Sequence, residues 1–342
     1  MSQPTTSGKS EAEKTPRARA KAPVFVLGCV RSGTTLLYHM LLSAGGFAVY
    51  RSESHAINLL EPRFGDVSVR TNKKKLMAAW LDSKLFKISG LDAEKIEQKV
   101  LAECRNGGDF LRIVMEEIAR NQGVERWAEC TPEHLLFLPR IKQTIPDALI
   151  IHVIRDGRDV ALSLEKQKWI RPLPMYRGST RLAGALYWEW MVRKGREDGR
   201  GLGADYCEVR FEDLIQDPRR VLAQLSRFID QDLDYDRIRE VAIGSVAEPN
   251  TSFQAGGGER VFNPVGRWRE LPRQDVLVLE GVIGGALQDL GYPLAFGEDA
   301  ARQASHFKVM RATQLNYFAL RLWLKANTPL GRYFVTKNLS WL

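Results

Sequence analysis

The sequence predicts an α/β fold of three layers, in which helices cover both faces of a mainly parallel sheet, followed by a helical, basic C-terminal tail. Three observations lead there. Pro23-Val-Phe-Val-Leu27 and Ala148-Leu-Ile-Ile-His-Val-Ile154 are apolar runs of strand length. Each gives way to a polar, glycine-containing turn and then to a stretch whose apolar residues recur at helical spacing. Strands that alternate with helices pair in parallel, because each helix carries the chain back across a sheet face.

Taken in order, residues 1–22 are polar and basic with no apolar core, so they read as a disordered lead-in and not as a secretory signal or a spanning helix. The first strand, Pro23 to Leu27, leads through a turn into a helix from Thr34 to Leu42. The second, Ala148 to Ile154, ends at Arg155-Asp156-Gly157 and leads into a helix from Asp159 to Lys166. A third, Tyr206 to Arg210, precedes a helix from Pro218 to Ile229, with proline in the first turn, where its missing donor costs nothing. Ala255-Gly-Gly-Gly258 reads as a mobile loop. These elements define a domain over residues 23–300 and a tail over residues 301–342.

The chain has 342 residues, 44% hydrophobic and 27% charged, enough for a full-sized core. Its net charge of +9 looks like that of a nucleic-acid binder until it is divided. Residues 1–23 hold five basic and two acidic residues, and residues 301–342 hold seven basic and none acidic. The body between them is left near neutral, which argues against a nucleic-acid groove. Cys29, Cys104, Cys130 and Cys207 stand singly, without zinc or disulfide spacing, so a reducing, cytoplasmic setting is the simpler expectation.

Gly28-Cys-Val-Arg-Ser-Gly-Thr-Thr35 carries two glycines at P-loop spacing between a strand and a helix. Backbone amides and the positive helix end can wrap an anion there, with Ser32, Thr34 and Thr35 adding hydroxyls. The lysine that reaches the β- and γ-phosphates in nucleotide triphosphatases is replaced by Thr34, and Arg31 appears within the loop. A single phosphate bearing one transferable group would suit such a loop.

Arg31-Ser-Gly-Thr-Thr-Leu36 resembles the 5′-phosphosulfate loop of sulfotransferases that use 3′-phosphoadenosine 5′-phosphosulfate (PAPS), especially the branch of tyrosylprotein sulfotransferases and many bacterial enzymes. Ile151 to Ser163 resembles that family's 3′-phosphate motif, which implies that Arg155 and Ser163 bind the 3′-phosphate. Val209-Arg-Phe-Glu-Asp-Leu214 is similar to a Tyr-Glu-Asp-Leu segment, with Phe211 where tyrosine is usual. Val265-Gly-Arg-Trp268 resembles a C-terminal motif that closes over the nucleotide, with Arg267 as its basic residue. The resemblance spans roughly Pro23 to Leu290. It implies PAPS as co-substrate with no metal, and donor-binding residues Arg31, Ser32, Gly33, Thr34, Thr35, Arg155, Ser163 and Arg267.

For chemistry, the resemblance points to Arg51-Ser-Glu-Ser-His55, where a glutamate followed by Ser or Thr supplies the general base. Glu53 is favoured and His55 is the alternative, each able to accept a proton near neutral pH. Arg31 would stabilise charge in the transition state. Glu129-Cys-Thr-Pro132 stands where many relatives have Glu-Lys-Thr-Pro, so a lysine is missing. Two rival functions remain: a P-loop kinase or hydrolase with Asp156 as a magnesium ligand, and a non-catalytic nucleotide- or glycan-binding protein.

The acceptor is a small molecule, lipid, glycan or peptide, with specificity expected from loops 64–90 and 168–181. In the tail, a helix over residues 308–326 would place Arg311, Gln314, Arg321 and Lys325 on one stripe, leaving the rest largely apolar. That apolar surface needs cover from the domain itself, the simplest case, or from a partner subunit or a membrane surface.

Overall fold

A computed structural model describes residues 19–173, 180–248 and 263–334. The five-stranded sheet comprises β1 (Val24–Gly28), β2 (Phe47–Ala48), β3 (Arg126–Glu129), β4 (Leu149–Ile154) and β5 (Tyr206–Arg210), in the order β2-β3-β1-β4-β5. Every pairing among the described residues is parallel. The helices used below are α1 (Thr34–Ala44), α2 (Gly107–Asn121), α3 (Gly157–Gln167), α4 (Thr180–Arg200), α5 (Pro218–Ile229), α6 (Arg273–Asp289) and α7 (Gly297–Asn327), and shorter helices are given by residue range.

The layering follows from strand alternation. Successive side chains point to opposite sheet faces, so a central strand buried on both faces must be apolar throughout. Val24 and Val26 of β1, with Leu149, Ile151 and Val153 of β4, join the core under α1 and α5. Phe25 and Leu27, with Ile150 and Ile154, join the opposite core with α2 and α4. Helices therefore cover both faces, as the apolar runs predict.

Strand β5 and helix α5 begin and end where the sequence places them, and β1 and β4 each start one residue later. Residues 64–90 depart from expectation. They hold helices Arg70–Leu81 and Lys84–Ser89, anchored by buried Leu76, Met77, Trp80 and Leu85, so most of that segment is not loop. Residues 1–18, the Ala255–Gly258 segment and part of 168–181 lie outside the described residues.

The tail departs in orientation. The helix forms, but Arg311 and Gln314 of the polar stripe face the body. Glu189 of α4 is fully buried and is served by two cations, Arg193 one turn on at 2.8 Å and Arg311, whose Nε donates to it at 3.0 Å. Gln314 is 2% exposed and accepts the Leu173 amide proton, while Phe318 packs edge-on against Tyr187. With Arg311, Gln314 and Phe318 turned inward, α7 leaves Val309, Leu320 and Trp323 facing solvent.

His152, in the middle of β4, is fully buried with Nδ1 2.6 Å from the Tyr206 hydroxyl. Burial, reinforced by nearby Arg196, pushes its pKa down to about 3. The unfolded chain, with an ordinary value near 6.5, then binds the extra proton, so stability falls as pH drops from about 6.5 toward 3. Urea titrations are expected to show His152 contributing about 2 kcal/mol to the stability lost between about pH 7 and about pH 5. His152→Asn should lose that increment, and an unchanged pH dependence in the variant would contradict the assignment.

Candidate active site

The loop after β1 is built for close approach. A side chain at Gly28 would meet the Val153 carbonyl oxygen at 2.5 Å, so only glycine lets β1 and β4 converge there. Arg31 (φ 75°) and Gly33 (φ 93°) both adopt left-handed backbone, and Ser32 N–H bonds the Cys29 carbonyl at 3.0 Å. Such alternation curls successive amides into an anion-binding concavity. The eleven-residue helix α1 starts there with no side-chain cap and no acidic residue in its first turn, so its positive end stays available. The Ser32 hydroxyl is fully buried without a hydrogen-bond partner. An oxyanion would satisfy these donors together.

Beside the loop lies a group of arginines. Arg31 Nε donates to Ser163 Oγ of α3 at 2.8 Å, and Arg155 Nη1 donates to the Arg31 carbonyl at 2.9 Å. The second Arg155 nitrogen donates to the Pro264 carbonyl, its guanidinium lies 4.7 Å over the Phe211 ring, and its buried Nε has no partner. Burial pushes the Arg155 pKa down; Asp159 and Glu212 oppose this, and the neighbouring charges of Arg267 and Arg31 add to it. Burial likewise lowers Arg31. Crowded, desolvated guanidinium groups of this kind favour an incoming anion.

The scaffold behind them is specific. Trp188 Nε1 of α4 donates to the Arg155 carbonyl at 3.0 Å, and its ring sits where a side chain at Gly157 would go, 2.4 Å away. Asp159 accepts the Gly266 and Trp268 amides at 2.7 and 3.0 Å, tying the short helix Arg267–Glu270, and with it Arg267, to α3. Gly33, Arg31, Ser32, Arg155 and Ser163 thus converge, with Thr34 buried at the start of α1 and Thr35 exposed beside it. The direct Arg31–Ser163 bond merges two sites that the motifs treat separately.

Glu53 and His55 lie together. His55 Nε2 is 3.2 Å from the Glu53 carboxylate, His55 is buried, and Glu53 is 42% exposed. His55 also adopts left-handed backbone (φ 51°), a state uncommon outside glycine that His, Asn and Asp tolerate best. A buried clamp holds this turn. Glu129, at the end of β3, accepts Ser54 Oγ at 2.8 Å, the Thr131 hydroxyl and His134 Nδ1 at 3.1 Å. Thr131 Oγ1 takes the His55 amide at 3.3 Å, and His134 Nε2 takes the Ile57 amide at 3.3 Å. A lone pair at Nε2 places the His134 proton on Nδ1, toward Glu129. Burial pushes the Glu129 pKa up, but His134, Thr131 and Ser54 more than reverse this and hold it at about 2. Cys130, next to Glu129 in the chain, is buried, and its thiol is pushed well up by burial, then by Glu129 and Glu53.

Residues 23–235 match the sequence profile of the Sulfotransferase family. The chain belongs to that family. A Caenorhabditis elegans protein provisionally named a protein-tyrosine sulfotransferase is 28% identical over 108 residues, covering 32% of this chain and 41% of that protein. The chain thus spans less than half the length of this curated relative. Among solved structures, the sulfotransferase domain of the Synechococcus PCC 7002 olefin synthase is 18% identical, with a TM-score of 0.48 over 84% of this chain and 94% of that one. A Mycobacterium avium sulfotransferase is 14% identical, with a TM-score of 0.44 over 82% and 80%.

In this sulfotransferase-family chain several contacts were not assigned from sequence. Ser54, Glu129, Thr131 and His134 clamp the Glu53 turn, and Trp169 lies 5.9 Å from the Arg31 guanidinium. The Glu-Cys-Thr-Pro segment was the available signal for the clamp. Asp156 also differs from its reading as a magnesium ligand. Its carboxylate caps α3 through the Arg158 amide and holds the buried Arg158 guanidinium at 2.7 and 3.0 Å.

Proposed function

We propose that this chain transfers a sulfuryl group from PAPS to a hydroxyl or amine acceptor. The observation that carries this reading is the junction of the uncapped, lysine-free P-loop with the Arg31–Arg155–Ser163 cluster. The buried, partnerless Ser32 hydroxyl and Arg155 Nε fit a ligand with two anionic groups. Bound PAPS supplies the activated sulfuryl group. Ser32, Thr34, Thr35 and the loop amides hold its 5′-phosphosulfate, while Arg155, Ser163 and Arg267 hold the 3′-phosphate. Arg31 sits between the two, neutralising charge that builds during transfer. The exposed Glu53 accepts the acceptor proton, and buried His55 orients its carboxylate. The Arg158–Asp156 pair weighs against the kinase reading, because that carboxylate would have to leave a buried guanidinium to reach a metal.

The test is differential binding. Arg155→Ala is expected to weaken adenosine 3′,5′-bisphosphate by about tenfold to a hundredfold, the range for a charge-assisted hydrogen bond, and adenosine 5′-monophosphate much less. Equal losses for the two nucleotides would remove Arg155 from the 3′-phosphate site. Transfer of labelled sulfate from PAPS into an extract would then identify the acceptor.

A further inference from the structure

We propose that the outward face of α7, together with the basic cleft at its C-terminal end, docks this protein on a membrane surface bearing anionic lipid. Two independent observations meet along α7. The first is apolar. Val309 is 72% exposed, and Leu320 and Trp323 are each 56% exposed, with Tyr317 beside them on the same helical face. Leu330 and Tyr333, just past the helix, continue the exposed patch. Large apolar side chains gathered in this way mark an interaction surface, and exposed Trp and Tyr are the side chains that favour a membrane–water boundary.

The second observation is electrostatic. A cleft of about 670 Å³ opens where α7 ends, walled on one side by residues 325–329. Five cationic side chains line it: Arg63, Lys75, Arg105, Arg140 and Lys325. Its acids are Glu61 and Asp66; Glu61 is paired with Arg140, and Asp66 accepts the Ser68 amide. Cations therefore predominate in the cleft. The two features are physically joined. Asn327 lines the cleft and its side chain donates to the Trp323 carbonyl at 3.0 Å, while Pro329 lines the cleft immediately before exposed Leu330. A surface that pairs an exposed aromatic face with a cationic hollow matches the boundary between acyl chains and anionic headgroups. Among the described residues no helix is long and apolar enough to cross a membrane, so the contact is one of lying on the surface.

Flotation of the full chain with vesicles tests this. The protein is expected to float with phosphatidylcholine vesicles carrying about 30% phosphatidylserine, not with phosphatidylcholine alone, and to be released at about 0.5 M salt. Leu320→Ser with Trp323→Ser should weaken capture at least about tenfold, and so should Lys75→Glu with Arg105→Glu. All four positions are solvent-facing, so a cooperative thermal transition at the parent midpoint should accompany the loss. Failure to float, or equal capture by neutral vesicles, would overturn the proposal. So would a parent dimer that the Leu320→Ser, Trp323→Ser variant converts to monomer, which would assign the face to a second copy. None of these outcomes depends on the donor site.

Discussion

Glu53→Gln is expected to reduce sulfuryl-transfer turnover by about a hundredfold or more while leaving affinity for adenosine 3′,5′-bisphosphate unchanged. The substitution keeps the shape of the side chain and removes its capacity to take a proton. Glu53 is the accessible member of its pair, whereas His55 lies beneath it, 3.2 Å away and buried. The clamp should survive, because Ser54, Thr131 and His134 bond Glu129 and not Glu53. Steady-state turnover and calorimetric nucleotide binding, measured on the same preparations, separate chemistry from binding. A fully active Glu53→Gln beside an inactive His55→Ala would move the proton acceptor to His55.

Gly33→Ala should have the largest effect on the fold around the site, for two separable reasons. Its φ of 93° lies where a β-carbon is disfavoured, and that carbon would fall 2.2 Å from the Phe211 ring. The left-handed conformation costs about 1–2 kcal/mol and the overlap about 1–3 kcal/mol more. Urea titration should therefore show a loss of about 2–5 kcal/mol, accompanied by loss of nucleotide binding. Adding Phe211→Ala should relieve the overlap relative to Phe211→Ala alone and leave the conformational share. A Gly33→Ala protein as stable as the parent would show that the loop is not held as described.

These two positions also show what local sequence can and cannot convey. The P-loop, its flanking strand and helix, and the Arg155 turn are legible because each is a contiguous run whose apolar spacing and glycines carry the information. Strands β2 and β3 are not. Phe47–Ala48 is two residues long, and Arg126–Glu129 begins and ends with charged residues although both are buried. Those charges are satisfied at a distance, Arg126 by the Ala22 carbonyl and Gln231, and Glu129 by Ser54 and His134. No periodicity reports such partners. The clamp was hidden for the same reason, since its members are separated by about 75 residues along the chain. The rotation of α7 was hidden too, because Glu189, the partner of its Arg311, lies between Trp188 and Trp190 in a different helix.

On the proposed reading, the lysine-free loop, the arginine cluster and the engaged Asp156 serve a donor that carries a 3′-phosphate and needs no magnesium for its binding. Calorimetric titration with adenosine 3′,5′-bisphosphate in the presence of a chelator measures that directly. Saturable binding in chelator, with ATP bound more weakly whether or not magnesium is added, is the result expected here. Tight, magnesium-dependent binding of ATP with none of the bisphosphate would contradict it.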